Sequence, residues 1–120
     1  MPNDRPDILL FLSDQHHARY SGFGGSEIVR TPNLDRIAAA GTVCDAAYTP
    51  CPLCVPARTA LLTGQEARRT GAYTNGSAFP STQGTFLHAL AAAGYETVLV
   101  GRMHFIGPDP YHGFTRRLFQ

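Results

Sequence analysis

The segment Ile8-Leu9-Leu10-Phe11-Leu12 shows no alternation of apolar and polar residues, and this constrains the fold more than any other feature. A strand with one wet face alternates with a period of two. An unbroken apolar run of this length, bounded by Pro6 and Asp14, is expected of a strand buried on both faces of a parallel sheet. Asp7 to Ser13 is therefore predicted as a first strand, and Tyr95 to Val100 as a second buried one. Helical signals lie between them. Thr31-Pro32-Asn33-Leu34 opens a helix with a cap residue followed by proline, Leu34, Ile37 and Ala38 share a face, and Gly41 stops it. Thr42 to Ala47 is predicted as a short strand. Pro50, Pro52 and Pro56 keep Thr49 to Pro56 irregular until Pro56 starts a helix that runs through Arg58, Leu61 and Leu62 to Gly64. Gln65 to Gly84 reads as loop, and Thr85 to Ala93 as a helix closed by Gly94. From Gly101 onward Gly107, Pro108, Pro110 and Gly113 interrupt any pattern, and no further strand or helix is expected. Strands alternating with helices imply an α/β class, a mostly parallel sheet flanked by helices. Two or three strands are few for such a sheet, so the fold reads as incomplete within this chain.

A length of 120 residues with 43% hydrophobic and 16% charged residues fits one soluble globular domain. A net charge of +1 and a pI near 7.8 provide no field for nucleic acid or an anionic membrane. The apolar run near the start is too short to span a bilayer and lacks the basic flank and cleavage site of a signal peptide, so the expectation is a cytoplasmic chain. Cys44, Cys51 and Cys54 make an odd count, which argues against a disulfide framework and for a cysteine kept for its chemistry.

In an open parallel sheet, ligands bind outside the carboxyl ends of the strands. Asp14-Gln15-His16-His17 follows the first predicted strand and Gly101-Arg102-Met103-His104 follows the last, so both clusters are expected to face one crevice. Asp14 alone would read as a turn residue or cap; its convergence with Arg102 and His104 favours a functional reading. His16 and His17 point in different directions, so at most one joins a site. His88 and His112 are expected to be structural or exposed.

The most specific segment is Cys54-Val55-Pro56-Ala57-Arg58-Thr59-Ala60-Leu61-Leu62-Thr63-Gly64. With Pro56 at the first helical position, residue 54 would stand just before a helix N-terminus, where unpaired amides and the dipole favour an anion. Arg58 would lean back toward it, and a guanidinium fork beside a nucleophile suits a tetrahedral oxyanion. The rival reading of Cys51-Pro52-Leu53-Cys54 is a zinc or redox pair. Zinc lacks a second such pair, and a redox dithiol leaves Pro56 and Arg58 without a role. Cys44 and Cys51 are expected to be buried or inert thiols.

This segment resembles the sulfatase motif of the alkaline-phosphatase superfamily, C-x-P-[SA]-R with a leucine-rich turn and T-G, in which the cysteine is oxidised to formylglycine. DILLFLSDQ resembles the family's first metal-binding strand, TPNLDRIAAAG its first helix, and GYETVLVGRMHFIGPDPYHGF its G-K-x-H segment. MHFIGPDPYHGF is especially similar to choline sulfatases.

The resemblance implies an alkaline-phosphatase-like fold and a sulfuric ester hydrolase in which one hydroxyl of the hydrated aldehyde attacks sulfur and the other releases sulfate. It implies a divalent metal, Ca2+ first with Mg2+ or Mn2+ as alternatives, on Asp14, Gln15 and the modified Cys54. Many sulfatases carry a second Asp where this chain has Gln15. His104 matches the histidine that takes a proton from the diol. Arg102 stands where a lysine usually contacts diol and sulfate, Arg58 serves catalysis, and Asn75 is either a substrate-anion contact or a turn residue before Gly76.

The implied partners are a small sulfate ester and a formylglycine-generating maturation enzyme, with a homo-oligomeric full-length protein and no nucleic acid or membrane. Phosphonate monoester or phosphodiester hydrolysis is the alternative chemistry. Family members are several times longer, so residues 1–120 are expected to be the N-terminal part of the catalytic domain. A catalytically incomplete fragment is a further alternative.

Overall fold

The computed structural model describes residues 5–119. The chain divides into two compact units, Met1–Ala46 and Ala47–Gln120. Among the described residues no helix is long and apolar enough to cross a membrane.

In the first unit, helix α1 (Pro32–Ala40) has Thr31 as its N-cap, Pro32 in its first turn and Gly41 as its C-cap, as the cap and proline predict. A tight tether joins its start to the preceding loop. The Thr31 hydroxyl accepts from the Gly22 amide at 2.7 Å and donates to Asp35 at 2.9 Å. The same Asp35 oxygen accepts from the Phe23 amide at 2.8 Å. A Cβ on Gly22 would overlap the Asp35 carboxylate, so a larger residue there would have to displace Asp35 from this tether.

The predicted first strand is not a strand here. Residues 7–13 have no regular hydrogen-bonded structure, and Ile8 to Leu12 are between 49% and 81% exposed. Apolarity gives a segment a reason to be buried, but strand character comes from pairing, and the only ladder among the described residues joins two later segments. Residues 42–47 are likewise irregular, with a turn at Asp45 and Ala46.

The second unit holds the core. Helix α2 (Cys54–Thr63) ends at Gly64, whose φ of 67° and amide bond to the Ala60 carbonyl close it as predicted. It begins two residues earlier than predicted, with Leu53 as N-cap and Pro56 at the third position. The first helical amides have no intrahelical acceptor, so a proline there costs no bond. The expected loop over Gln65 to Gly84 contains one short helix, α3 (Ala67–Thr70), stopped by Gly71 at φ 72°.

Helix α4 (Phe86–Ala92) lies inside the predicted Thr85 to Ala93. Its start is a capping box in which His88 takes the place usually held by Glu or Gln. The Thr85 hydroxyl meets His88 Nδ1 at 2.8 Å, and the Thr85 amide donates to the same nitrogen at 3.1 Å.

Strand β1 (Val98–Val100) occupies the end of the predicted second strand, but only Leu99 is buried there. Its parallel partner β2 (Arg116–Leu118) falls where no element was expected. Leu99 stands opposite Arg117. Thr97 and Thr115 start the ladder by exchanging side-chain and main-chain bonds of 2.9–3.0 Å. The core consists of Leu62, Phe79, Leu87, Leu99 and Met103, with Phe105 and Phe114 packed against it. It therefore draws on α2, α4, β1 and the segment that follows β1, which is how the site residues become fixed to a rigid base.

Candidate active site

Cys54 occupies the first position of α2 rather than the residue before it. It is a half-buried free thiol. Val55 and Pro56 beside it are buried, which anchors the helix start while leaving residue 54 at the boundary with solvent. Arg58, also half-buried, is one turn further along the same face of the helix.

Asn75 belongs to this group through a bond that its neighbouring sequence does not announce. Its Oδ1 accepts from the Val55 amide at 3.0 Å, satisfying one of the orphan donors at the start of α2. The loop carrying Asn75 is itself held by Ser77, whose hydroxyl oxygen accepts from the Tyr73 and Thr74 amides at 3.1 and 3.0 Å. Of the two readings open for Asn75, turn residue and substrate contact, the structure adds a third role, a helix cap supplied from a distant loop.

The second group lies beyond the carboxyl end of β1. Gly101 turns the chain at φ 103°, Arg102 is exposed, Met103 is buried in the core, and His104 is half-buried. His104 has a φ of 56°, a conformation uncommon outside glycine. Such backbone settings persist where the surroundings over-determine them, and they gather at functional sites. Arg102 and His104 line a depression of about 530 Å³ with Phe105, Ile106, Gly107, Pro110 and Arg117. Cys54 and Arg58 are not among its lining residues.

Arg117 was missed at the level of sequence because β2 was missed. Its Nη1 donates to the Pro110 carbonyl at 2.6 Å, and its guanidinium lies 5.9 Å from the Phe105 ring centre. The only sequence signal was a doubled arginine after a Gly-Phe turn.

Asp14 and Gln15 lie in the first unit, exposed, in a turn that follows the apolar run. Gln15 has a φ of 54°. The neighbouring histidines are engaged locally: His16 Nδ1 meets the Ser13 hydroxyl at 3.3 Å, and His17 Nδ1 accepts from the Arg19 amide at 3.2 Å. A carboxylate and a carboxamide oxygen are donors of the kind that hard divalent cations take, though fewer than such a cation needs. No group of three or more His, Cys, Asp or Glu suited to a metal occurs among the described residues. The thiols of Cys44 and Cys51 are exposed and half-buried respectively, so of the two expectations for Cys44, buried or inert, burial does not hold.

His112 is the most enclosed titratable group. It is 0% exposed, stacks on Phe79 at a ring separation of 3.9 Å, and meets Phe105 edge-on at 4.6 Å. Burial pushes its pKa below the ordinary 6.5, opposed by nearby Asp109 and reinforced by His88. Asp109 is held below the ordinary carboxylate value, chiefly by the Tyr111 amide it accepts from.

The sulfatase family profile matches residues 6–118. The chain is 39% identical over 118 residues to choline-sulfatase of Rhizobium meliloti (strain 1021), covering 98% of this chain and 23% of that protein. It is 40% identical over 126 residues to arylsulfatase A of Bos taurus, covering 94% of this chain and 25% of that protein. The solved structure of BT4656 in complex with its substrate D-glucosamine-2-N,6-O-disulfate superposes with a TM-score of 0.88 at 34% identity, over 94% of this chain and 22% of that one.

The chain thus spans about a quarter of the length of these curated relatives. The fold is α/β and alkaline-phosphatase-like, represented here by helices and a small parallel sheet. With the motif at Cys54, the histidine beyond β1 and a matching profile over nearly every residue, the chain belongs to the sulfatase family.

Proposed function

We propose that the full-length protein hydrolyses sulfuric esters through an oxygen nucleophile made by oxidising Cys54 to formylglycine, and that residues 1–120 form part of its catalytic domain. The observation that carries this reading is the placement of Cys54 at the first position of α2, with Arg58 one turn on and the adjoining amide capped by Asn75. The helix N-terminus favours an anion, and the guanidinium adds a charged donor fork. A thiol offers one nucleophilic atom. A hydrated aldehyde offers two hydroxyls on one carbon, so that after the first has attacked sulfur and expelled the alcohol by breaking its S–O bond, the second can lose its proton, reclose the carbonyl and release sulfate.

In this scheme a ring nitrogen of His104 takes the proton lost as the carbonyl re-forms. The left-handed φ of His104 is the kind of constraint expected of a ring aimed for such a task. Arg102 contributes positive charge toward the sulfate oxygens, as a fork rather than the point charge of a lysine. Asp14 and Gln15 are the proposed oxygen ligands of a divalent cation, which when bound supplies Lewis-acid stabilisation of developing oxyanion charge. Choline-sulfatase and arylsulfatase A as relatives support a small sulfate ester as substrate.

The test is mass analysis of the peptide containing residue 54 from full-length protein expressed with a maturation enzyme, paired with turnover of a panel of sulfate esters, phosphate monoesters and phosphodiesters. The expected result is an aldehyde at residue 54 and preferred cleavage of sulfate esters. Full activity with an unoxidised thiol, or hydrolysis confined to phosphodiesters, overturns the proposal.

A further inference from the structure

The left-handed backbone of His104 raises the question of what holds it. Its two neighbours answer: Met103 is buried in the core, and the half-buried Phe105 packs on three rings, at 5.9 Å from Phe79, 4.6 Å from His112 and 6.4 Å from Phe114. With both flanking side chains seated, the residue between them has little choice of dihedral angle.

The His112 ring is the centre of this arrangement, sandwiched against Phe79 and meeting the edge of Phe105. Its own backbone is pinned twice: the Thr85 hydroxyl donates to its carbonyl at 2.8 Å, and its amide donates to Asp109 Oδ1 at 3.2 Å. A further bond ties the same layer to the loop, from the Phe79 amide to the Ile106 carbonyl at 2.7 Å. Neither ring nitrogen of His112 has a hydrogen-bond partner, although Asp109 Oδ2 lies 3.6 Å from Nδ1. The ring therefore acts here as an aromatic plate rather than as a hydrogen-bonding group.

We infer that His112 is a positioning residue for the reaction, holding Phe105 and through it the backbone of His104 by ring packing between Phe79 and Phe105. The inference rests on the role proposed above for His104. It assigns His112 no contact with substrate, and it makes the shape of the ring, not its nitrogens, the property that matters. A catalytic group displaced by about an ångström can lose about 100-fold in rate, so loosening this plate lowers turnover without weakening ground-state binding equally.

The experiment compares His112→Ala, His112→Phe, Phe105→Ala and the His112→Ala/Phe105→Ala double variant in the full-length protein, with far-UV circular dichroism as a check on folding. His112→Ala is expected to lower kcat by about 10-fold to 100-fold with KM changed by about twofold or less, and His112→Phe to restore kcat to within about threefold of wild type. The double variant should fall about as far as either single change, since both remove the same contact.

A second readout, the ring NMR signals of His104, should move in His112→Ala and stay in place in His112→Phe. Should His112→Ala not fold, His112→Phe and Phe105→Ala still carry both readouts. A folded His112→Phe as impaired as His112→Ala, single effects that multiply in the double variant, or a His104 signal unmoved in His112→Ala overturns the inference. If wild-type protein cleaves no sulfate ester, the functional reading fails instead, and the NMR readout still decides the coupling.

Discussion

The carboxamide oxygen of Asn75 accepts the Val55 amide at 3.0 Å from twenty positions along the chain. The residue that should cap α2 locally, Leu53, has no side chain able to do so. The start of the helix that carries Cys54 is thus satisfied by tertiary structure. This couples the loop over residues 73–77 to the position of the candidate nucleophile.

Asn75→Ala is expected to destabilise the protein by about 1 kcal/mol, the usual value of an N-cap side chain. Asn75→Asp keeps an acceptor beside the positive end of the helix and should cost less. Denaturant unfolding with unchanged slope and a lowered midpoint checks both.

Stability should fall as pH drops below about 6.5. His112 has a folded-state pKa below its ordinary 6.5, so between the folded and unfolded values the unfolded chain binds the extra proton and unfolding gains. Above 6.5 this penalty is absent. Asp109, also depressed, adds stability present above the ordinary carboxylate value of 3.8 and lost as pH falls through its lower folded value. Thermal midpoints measured from pH 8 down to about pH 2 test the trend, and His112→Phe should flatten its upper part.

Thr85 serves two structures at once, the capping box of α4 and the carbonyl of His112. Thr85→Ala should cost about 1–2 kcal/mol, more than a solvent-exposed cap, because a buried carbonyl loses its donor as well. Thr85→Ser should recover most of it. Urea midpoints distinguish the two.

Cys54→Ala in the full-length protein should abolish sulfate ester hydrolysis while leaving the unfolding midpoint nearly unchanged, since the thiol sits at the first turn and is only half-buried. Arg58→Ala should lower kcat/KM and weaken inhibition by inorganic sulfate together. Steady-state kinetics with an aryl sulfate reads both.

Chelation of divalent cations should reduce hydrolysis by the full-length protein, with recovery on adding Ca2+. Asp14→Asn should raise the Ca2+ concentration needed for half recovery. Recovery curves for the two proteins, run side by side, provide the measurement.

Much of the helical architecture was readable because its signals are local. Thr31 with Pro32, Gly64 at φ 67°, and Thr85 before an apolar run each act within a turn of chain. Proline as a first-position marker puts the start of α2 two residues late, because the third position also lacks an intrahelical acceptor and accepts proline equally. Strands were read less well. Arg116-Arg117-Leu118 has no apolar pattern and becomes a strand by pairing with Val98-Leu99-Val100, whereas Ile8 to Leu12 has the pattern and no ladder within the described residues.

By itself the sequence determined where α1 and α4 form and where α2 stops, and it placed Cys54, Pro56 and Arg58 at fixed offsets that a single helical turn converts into proximity. Tertiary structure alone decided that Asn75 caps α2, that His112 lies buried between Phe79 and Phe105, and that Arg117 shares a depression with Arg102 and His104. The physical reason is range. Caps and turns are decided by interactions within a few residues, while strand pairing, distant caps and ring stacks require closing loops whose entropy only the packed core offsets.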